Sequence, residues 1–310
     1  MTGYLIAVLQ CFLIVALAPL FSGISRWLRA KMHTRQGAPI LQDYYDLAKL
    51  FKRRDICTES STYVSKLMPI LFLGTLLVII CGLPIFTQLS PVPVFGDMIT
   101  VVYLLAIPRF FFALAGIDRS NAYAGAGSIR ELLIGVLVEP SIMLSLVVVA
   151  IATGTTAIGG MSMTVSEFAV QSPVAFMIAG IAFLFACYIE LGKLPYDLAE
   201  AEQELQEGPL AEFSGPSFAL SKLALSVKQL VMIALFLAIF CPFGSASPDA
   251  GALGIIVGII VFLLKVLVAV VAAAIVENSV SRVRYKLLGR QTWAILGIAV
   301  IAFVFSVVGM

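Results

Sequence analysis

The chain has 310 residues, of which 61% are hydrophobic and 12% charged, whereas soluble domains carry roughly 25% charged residues; a water-soluble globular fold is excluded and the lipid bilayer is the solvent. A formal net charge of +2 is too small for a nucleic-acid binder, so no nucleic-acid partner is expected. Five scattered cysteines (Cys11, Cys57, Cys81, Cys187, Cys241) without a CxxC pair, and a single histidine, His33, argue against a disulfide framework, an iron-sulfur site and a di-haem cytochrome.

A spanning helix needs about 20 mainly apolar residues. Eight stretches qualify, approximately 4–24, 67–87, 98–117, 132–153, 173–191, 223–243, 251–276 and 291–309. The fold class is therefore an all-α integral membrane protein with about eight transmembrane helices, residues 1–310 forming a single membrane domain. The first span is expected to be retained, because Met1–Leu20 lacks the basic segment that precedes the apolar run of a cleaved signal.

Between the first two spans, segment 25–66 is strongly basic. Within it Ile40, Leu41, Tyr44, Tyr45, Leu47, Ala48 and Phe51 recur at helical spacing after Pro39, with Asp43, Asp46, Lys49 and Lys52 interleaved. This pattern predicts an amphipathic helix in the interface, or one packed beneath another subunit. Alternate loops are lopsided in charge: Arg119, Arg130, Lys193, Lys222, Arg282, Arg284, Lys286 and Arg290 follow on the same side, while loops 88–97, 154–172 and 244–250 hold no Lys or Arg. Positive charge stays cytoplasmic, which predicts a multi-pass protein of a bacterial inner (plasma) membrane, both termini periplasmic and the working loops cytoplasmic.

Seven ionisable residues fall within or at the edge of spans: Arg109, Glu131, Glu139, Glu190, Lys228, Lys265 and Glu277. Each costs roughly 2.5–3.5 kcal/mol at a helix centre on insertion scales and must face protein or water. Arg109 and Glu139 both fall about 12–14 Å deep at 1.5 Å per residue, and we expect them to form a buried ion pair, either a static register lock or part of a conducting path. Lys265 falls near the membrane centre; Glu190, Lys228 and Glu277 lie toward the cytoplasm. With no comparable group in the outer half, the remainder of any crossing has to come from another subunit, or the chain is not a pump.

The next long loop is acidic. Asp197, Glu200, Glu204 and Glu207 recur at i, i+3, i+7 and i+10, joined by Glu202 and Glu212. Carboxylates stacked along a helix repel, so the first basic loop, a partner or bound protons must neutralise them. Proton or ion-path candidates are thus Glu131, Glu139, Glu190, Asp197, Glu200, Glu202, Glu204, Glu212, Lys228, Lys265 and Glu277. GAGSIRE (125–131) lacks the preceding strand of a nucleotide fingerprint. No catalytic residue and no metal ligand set emerges.

The stretch IELGKLPYDLAEAEQELQEGPLAEFSG (189–215) is similar to the long cytoplasmic loop of the quinone-pocket membrane subunit of respiratory complex I, the subunit 1 family, and RQGAPILQDYYDLAKLFKR (35–53) resembles its first loop. ELQEGPLAEFSG and RFFFALAGIDRSNAYAGAGSIRELLIGVLVEP (109–140) resemble the branch found in formate hydrogenlyase and related group 4 membrane-bound [NiFe] hydrogenases. The resemblance implies a membrane anchor and coupling subunit, without a catalytic centre of its own. It would join the peripheral [NiFe] hydrogenase large and small subunits and iron-sulfur proteins to an antiporter-like membrane subunit, and leaves open linkage to proton or sodium translocation. It implies that Glu190, Asp197, Glu200, Glu202, Glu204 and Glu212 line a polar funnel, and that Arg35, Asp43, Asp46, Lys49, Lys52, Arg53 and Arg54 serve partner docking. No cofactor is expected in this chain; iron-sulfur clusters and the Ni-Fe centre belong to the partners. Around Gly208 and Pro209 the loop departs from the complex I pattern, so no quinone is assigned. The alternatives are the quinone-pocket membrane subunit of NADH:quinone oxidoreductase (complex I) itself and an independent secondary transporter; the latter calls for inverted repeats and a midplane site on broken helices, which the sequence does not display.

Overall fold

A computed structural model describes residues 2–58, 61–247 and 250–309, without the side chains of residues 2, 202 and 203. Among the described residues the regular structure is helical, apart from isolated bridges of Thr87 with Ala246 and Asp97 with Ala157. In chain order the helices are α1 (Thr2–Met32), α2 (Gln42–Phe51), α3 (Tyr63–Gly82), α4 (Met98–Asp118), α5 (Ala122–Thr153), α6 (Ile158–Ser166), α7 (Pro173–Glu190), α8 (Glu202–Leu205), α9 (Gly215–Phe240), α10 (Ala252–Ser279) and α11 (Tyr285–Val308). Eight of these, α1, α3, α4, α5, α7, α9, α10 and α11, are long and apolar enough to cross a membrane. The chain is a multi-pass membrane protein.

Several helices outrun their apolar stretches, and always toward the charged face. α1 continues through Arg26, Arg29 and Lys31; α5 begins at Ala122, ten residues ahead of the apolar run; α9 begins at Gly215. Hydropathy marks only what contacts hydrocarbon, whereas a helix ends where a cap or breaker stops it. Asn121 supplies such a cap, its side chain accepting from the backbone N–H of Tyr123 at 2.8 Å. α3 stops early at Gly82 because Leu83 is extended ahead of Pro84, a residue that cannot continue a helix. On the opposite face the segment expected to be a plain loop, 154–172, contains the short helix α6.

Between helices in lipid there is little hydrophobic drive, and close approach of small residues takes its place. α7 buries Ala175, Ala179, Ala182 and Ala186 along one stripe, and it packs against α5, α9 and α11. Where bulk is present it is aromatic: Phe183 of α7 lies 5.5 Å from Phe240 of α9, and Phe72 of α3 lies 5.6 Å from Phe112 of α4. α10 is the most apolar span and the least covered by the rest of the chain. α1 is tied to the end of α3 by Gln10, whose amide donates to the carbonyls of Ile80 (2.7 Å) and Leu83 (2.8 Å). α2 lies across α1 and α9 with no fully buried residue, an exposed position suited to the amphipathic pattern of its sequence.

Candidate functional site

Five charged side chains from four spans form one alternating string inside the bundle. Arg109 of α4 bridges Glu139 of α5 and Glu190 of α7, the latter at 2.5 Å. Lys228 of α9 reaches Glu190 and Glu131, each at 3.4 Å. The order is Glu139, Arg109, Glu190, Lys228, Glu131. Glu190 at 3% and Arg109 at 7% side-chain exposure are closed off, while Glu139 at 37% opens sideways. Burial of an ion is tolerable only with a partner of opposite sign, and each interior member here has two. Gly135 of α5 makes the room: a Cβ there would lie 2.5 Å from Cδ and 2.9 Å from Cζ of Arg109. Pro108 and Pro140 adjoin Arg109 and Glu139 inside their helices.

The string opens toward the charged face. A small cavity of about 60 Å³ is lined by Glu131, Glu190, Lys228, Asp197 and Glu200. Asp197, Glu200 and Gln229 also line a larger one of about 670 Å³, whose wall adds Arg29, Lys193, Glu204, Glu207, Glu277 and Arg282. The two are contiguous through those shared residues, so polar surface runs from the loops down to Glu190, the partner of Arg109.

The acidic loop is not the helix that its spacing suggests. Only the single turn α8 forms, Gln206 and Glu207 turn left-handed, and a 3-10 turn covers Gly208–Leu210. Folding back separates the carboxylates and gives them individual cations: Asp197 meets Arg282 at 2.8 Å, Glu204 meets Arg130 at 2.7 Å and Glu207 meets Lys222 at 3.4 Å. These cations come from α5, α9 and the α10–α11 link, and among the described residues none comes from 35–54. Gly208, at φ +53°, permits the reversal; a Cβ there would overlap the carbonyl oxygen of Ala199. Gly127 of α5 gives the loop its seat, a Cβ at that position meeting Ala199 O, Gly208 Cα and Pro209 Cδ at 2.8 Å each.

Glu200 has no ion pair among the described residues. Burial, followed by the neighbouring Asp197 and Glu131 carboxylates, pushes its carboxyl up to about 7. Lys193 donates to Ser25 Oγ at 2.6 Å; burial lowers its ammonium, against the opposing pull of Glu277. Glu277 pairs with Arg29 at 3.0 Å on the cavity wall.

Other expected site residues lie apart. Glu212 fastens the loop, its carbonyl accepting from Arg119 at 2.7 Å and its carboxylate from Asn121. The side chain of Glu202 lies outside the described residues. Lys265 turns toward the opposite face, donating to the carbonyls of Cys241 (2.6 Å) and Phe243 beyond α9, and joins no part of the string. On and around α2, Arg35, Asp46, Lys49, Lys52, Arg53 and Arg54 are exposed, whereas Asp43 pairs with Arg26. Arg130, Lys222 and Arg282 enter the sequence reading only as orientation markers, and Arg29 only as part of the basic segment 25–66; their role as counter-ions depends on helix extensions and on the loop fold. Among the described residues no group of three or more His, Cys, Asp or Glu could hold a metal.

A family model described as NADH dehydrogenase matches residues 4–308. The chain belongs to this family. Within it, the chain is 46% identical over 310 residues to hydrogenase-4 component C of Escherichia coli (strain K12), covering 99% of this chain and 98% of that one. To formate hydrogenlyase subunit 4 of the same organism it is 42% identical over 296 residues, 96% of each. A membrane-family relative from the NADH-quinone oxidoreductase of Brevibacillus brevis is more distant, at 28% over 282 residues, 87% of this chain and 80% of that one. A chain of the archaeal membrane-bound sulfane sulfur reductase, a respiratory membrane complex, has the same fold: TM-score 0.87 at 23% identity, covering 99% of this chain and 100% of that one. The family resemblance and its hydrogenase branch thus agree with the two Escherichia coli relatives, and the NADH-quinone oxidoreductase relative stands further off.

Proposed function

We propose that this chain is the membrane anchor and coupling subunit of a membrane-bound [NiFe] hydrogenase of the formate hydrogenlyase or hydrogenase-4 kind. End-to-end identity above 40% to components of both supports that reading. The redox centres belong to peripheral subunits that dock on the charged face, over the 670 Å³ cavity and the exposed basic residues Arg35, Lys49, Lys52, Arg53 and Arg54. The charged face is cytoplasmic, and the membrane is the bacterial inner membrane. An antiporter-like subunit lies alongside.

The observation that carries the coupling part is the continuity of polar surface from the cavity mouth to the buried string. A charge or proton arriving at Asp197 and Glu200 is felt by Glu131 and Lys228, which line the same small cavity, and through Glu190 by Arg109 and Glu139. In a poorly solvated interior such pairs interact strongly. Tagged chain purified from gently solubilised membranes tests the assignment: co-purification of a nickel-binding large subunit is expected. Recovery of the chain alone, or with an NADH-oxidising arm, would overturn it. For the coupling role, Glu190→Asp in an assembled complex should retain hydrogen evolution while altering ion movement linked to it; unchanged linkage refutes a role for the string.

A further inference from the structure

Away from the charged face, two cysteines seventy positions apart in sequence lie side by side. Cys11 of α1 and Cys81 of α3 have their sulfurs 3.4 Å apart, and Cys11 Sγ also lies 3.5 Å from the Leu77 carbonyl. Both are half-buried. Cys81 is next to last in α3, and its carbonyl accepts from Val92 N at 3.2 Å; the pair thus lies beside the connection between α3 and α4, on the face opposite the polar cavity. The neighbouring residue fixes the register. Gln10 grips Ile80 and Leu83 on either side of Cys81, so Cys11 is held opposite its counterpart by two hydrogen bonds rather than by chance contact.

We propose that Cys11 and Cys81 form an oxidisable dithiol that closes a covalent strap between α1 and α3. The chemistry is thiol–disulfide exchange with a disulfide acceptor. One thiol, as thiolate, attacks the acceptor and forms a mixed disulfide, releasing the first acceptor thiol. The second then attacks the cysteine sulfur of that mixed disulfide and releases the other. Two cysteine thiols and one acceptor disulfide become one cystine and two acceptor thiols, with two electrons passing to the acceptor and no net change in protons. Sulfurs already in contact are a side-chain rotation away from the roughly 2.05 Å bond, and being held together favours the second attack over release of the first adduct. The strap would act on a helix that matters to the site, since α1 contributes Ser22 and Arg29 to the cavity wall.

The full-length chain, purified within its complex, is treated with 2,2′-dithiodipyridine, a membrane-permeant disulfide. Remaining thiols are blocked with N-ethylmaleimide and the digest is mapped by mass spectrometry. A peptide linking Cys11 to Cys81 is expected, reversible by dithiothreitol, with Cys57, Cys187 and Cys241 absent from it. Cys81→Ser should stall the reaction as a pyridyl adduct on Cys11. Gln10→Ala, which keeps both thiols but frees the register, should slow closure several-fold. Recovery of Cys11 and Cys81 as separate maleimide or pyridyl derivatives in the wild-type chain, or linkage of either to another cysteine, overturns the proposal.

Discussion

Gly135→Ala adds a single carbon to a site that has no space for it. The new Cβ would lie 2.5 Å from Cδ and 2.9 Å from Cζ of Arg109, so the arginine has to move. It is not a loose surface side chain that can swing aside: it is 7% exposed and bridges Glu139 and Glu190. If the helices part instead, overpacking costs about 1–3 kcal/mol. If Arg109 leaves its carboxylates, the loss approaches the roughly 3–5 kcal/mol of a broken buried pair. The control is Gly125→Ala in the same helix, where the added carbon meets nothing within 4 Å. There the helix propensity of alanine is the only change, a gain of about 1 kcal/mol. The two substitutions are chemically identical and the propensity gain is common to both, so they are separated by the packing cost at Gly135 alone, about 1–5 kcal/mol. SDS-induced unfolding of each purified variant in mixed micelles measures the difference. Equal midpoints for the two variants would refute the packing argument, and with it the claim that Gly135 shapes the string.

Further predictions concern the charges themselves. Glu190→Gln leaves Arg109 and Lys228 short of a shared carboxylate and should lower stability by about 3–5 kcal/mol in the same assay; a neutral effect would mean that the string is not electrostatically coupled. Glu200 has a carboxyl raised to about 7 from an ordinary 4.5, so the folded chain binds more protons than the unfolded one between these values, and stability falls as pH rises through that window. Glu200→Gln should therefore match the wild type below about pH 4.5, pull ahead as pH rises and hold a constant advantage above about pH 7; a pH-independent difference refutes the shift. Lys265→Met removes the donor from two carbonyls beyond α9, at a cost of about 1–3 kcal/mol, while hydrogen evolution per assembled complex is unchanged. Loss of turnover in fully assembled Lys265→Met complex would place that lysine in the working path after all.

The spans were legible because a bilayer imposes a length and a polarity that twenty residues cannot hide. Their ends were not: Asn121 caps α5 through a side-chain hydrogen bond, and nothing in an apolar run reports such a contact. The pairing of Arg109 with Glu139 could be anticipated from matched depth on consecutive antiparallel spans. That Glu190 shares the same arginine could not, since it requires knowing which helices are neighbours around the bundle. Periodicity misleads in the acidic loop, where Asp197, Glu200, Glu204 and Glu207 mimic a helical stripe although the backbone reverses at Gln206 to Gly208. The positive φ angles there are invisible in a list of residue types, and in the folded-back loop Asp197, Glu204 and Glu207 meet three different cations while Glu200, among the described residues, meets none.

The sideways opening at Glu139 bears on how the protein is assembled. Over a third of its side chain is uncovered, whereas the arginine it pairs with is sealed. In a bilayer that uncovered surface would meet acyl chains, which solvate no polar atom, with Arg109 as the counter-charge behind it. The lone polypeptide thus has an unfinished seam, one that a polar surface placed alongside would close.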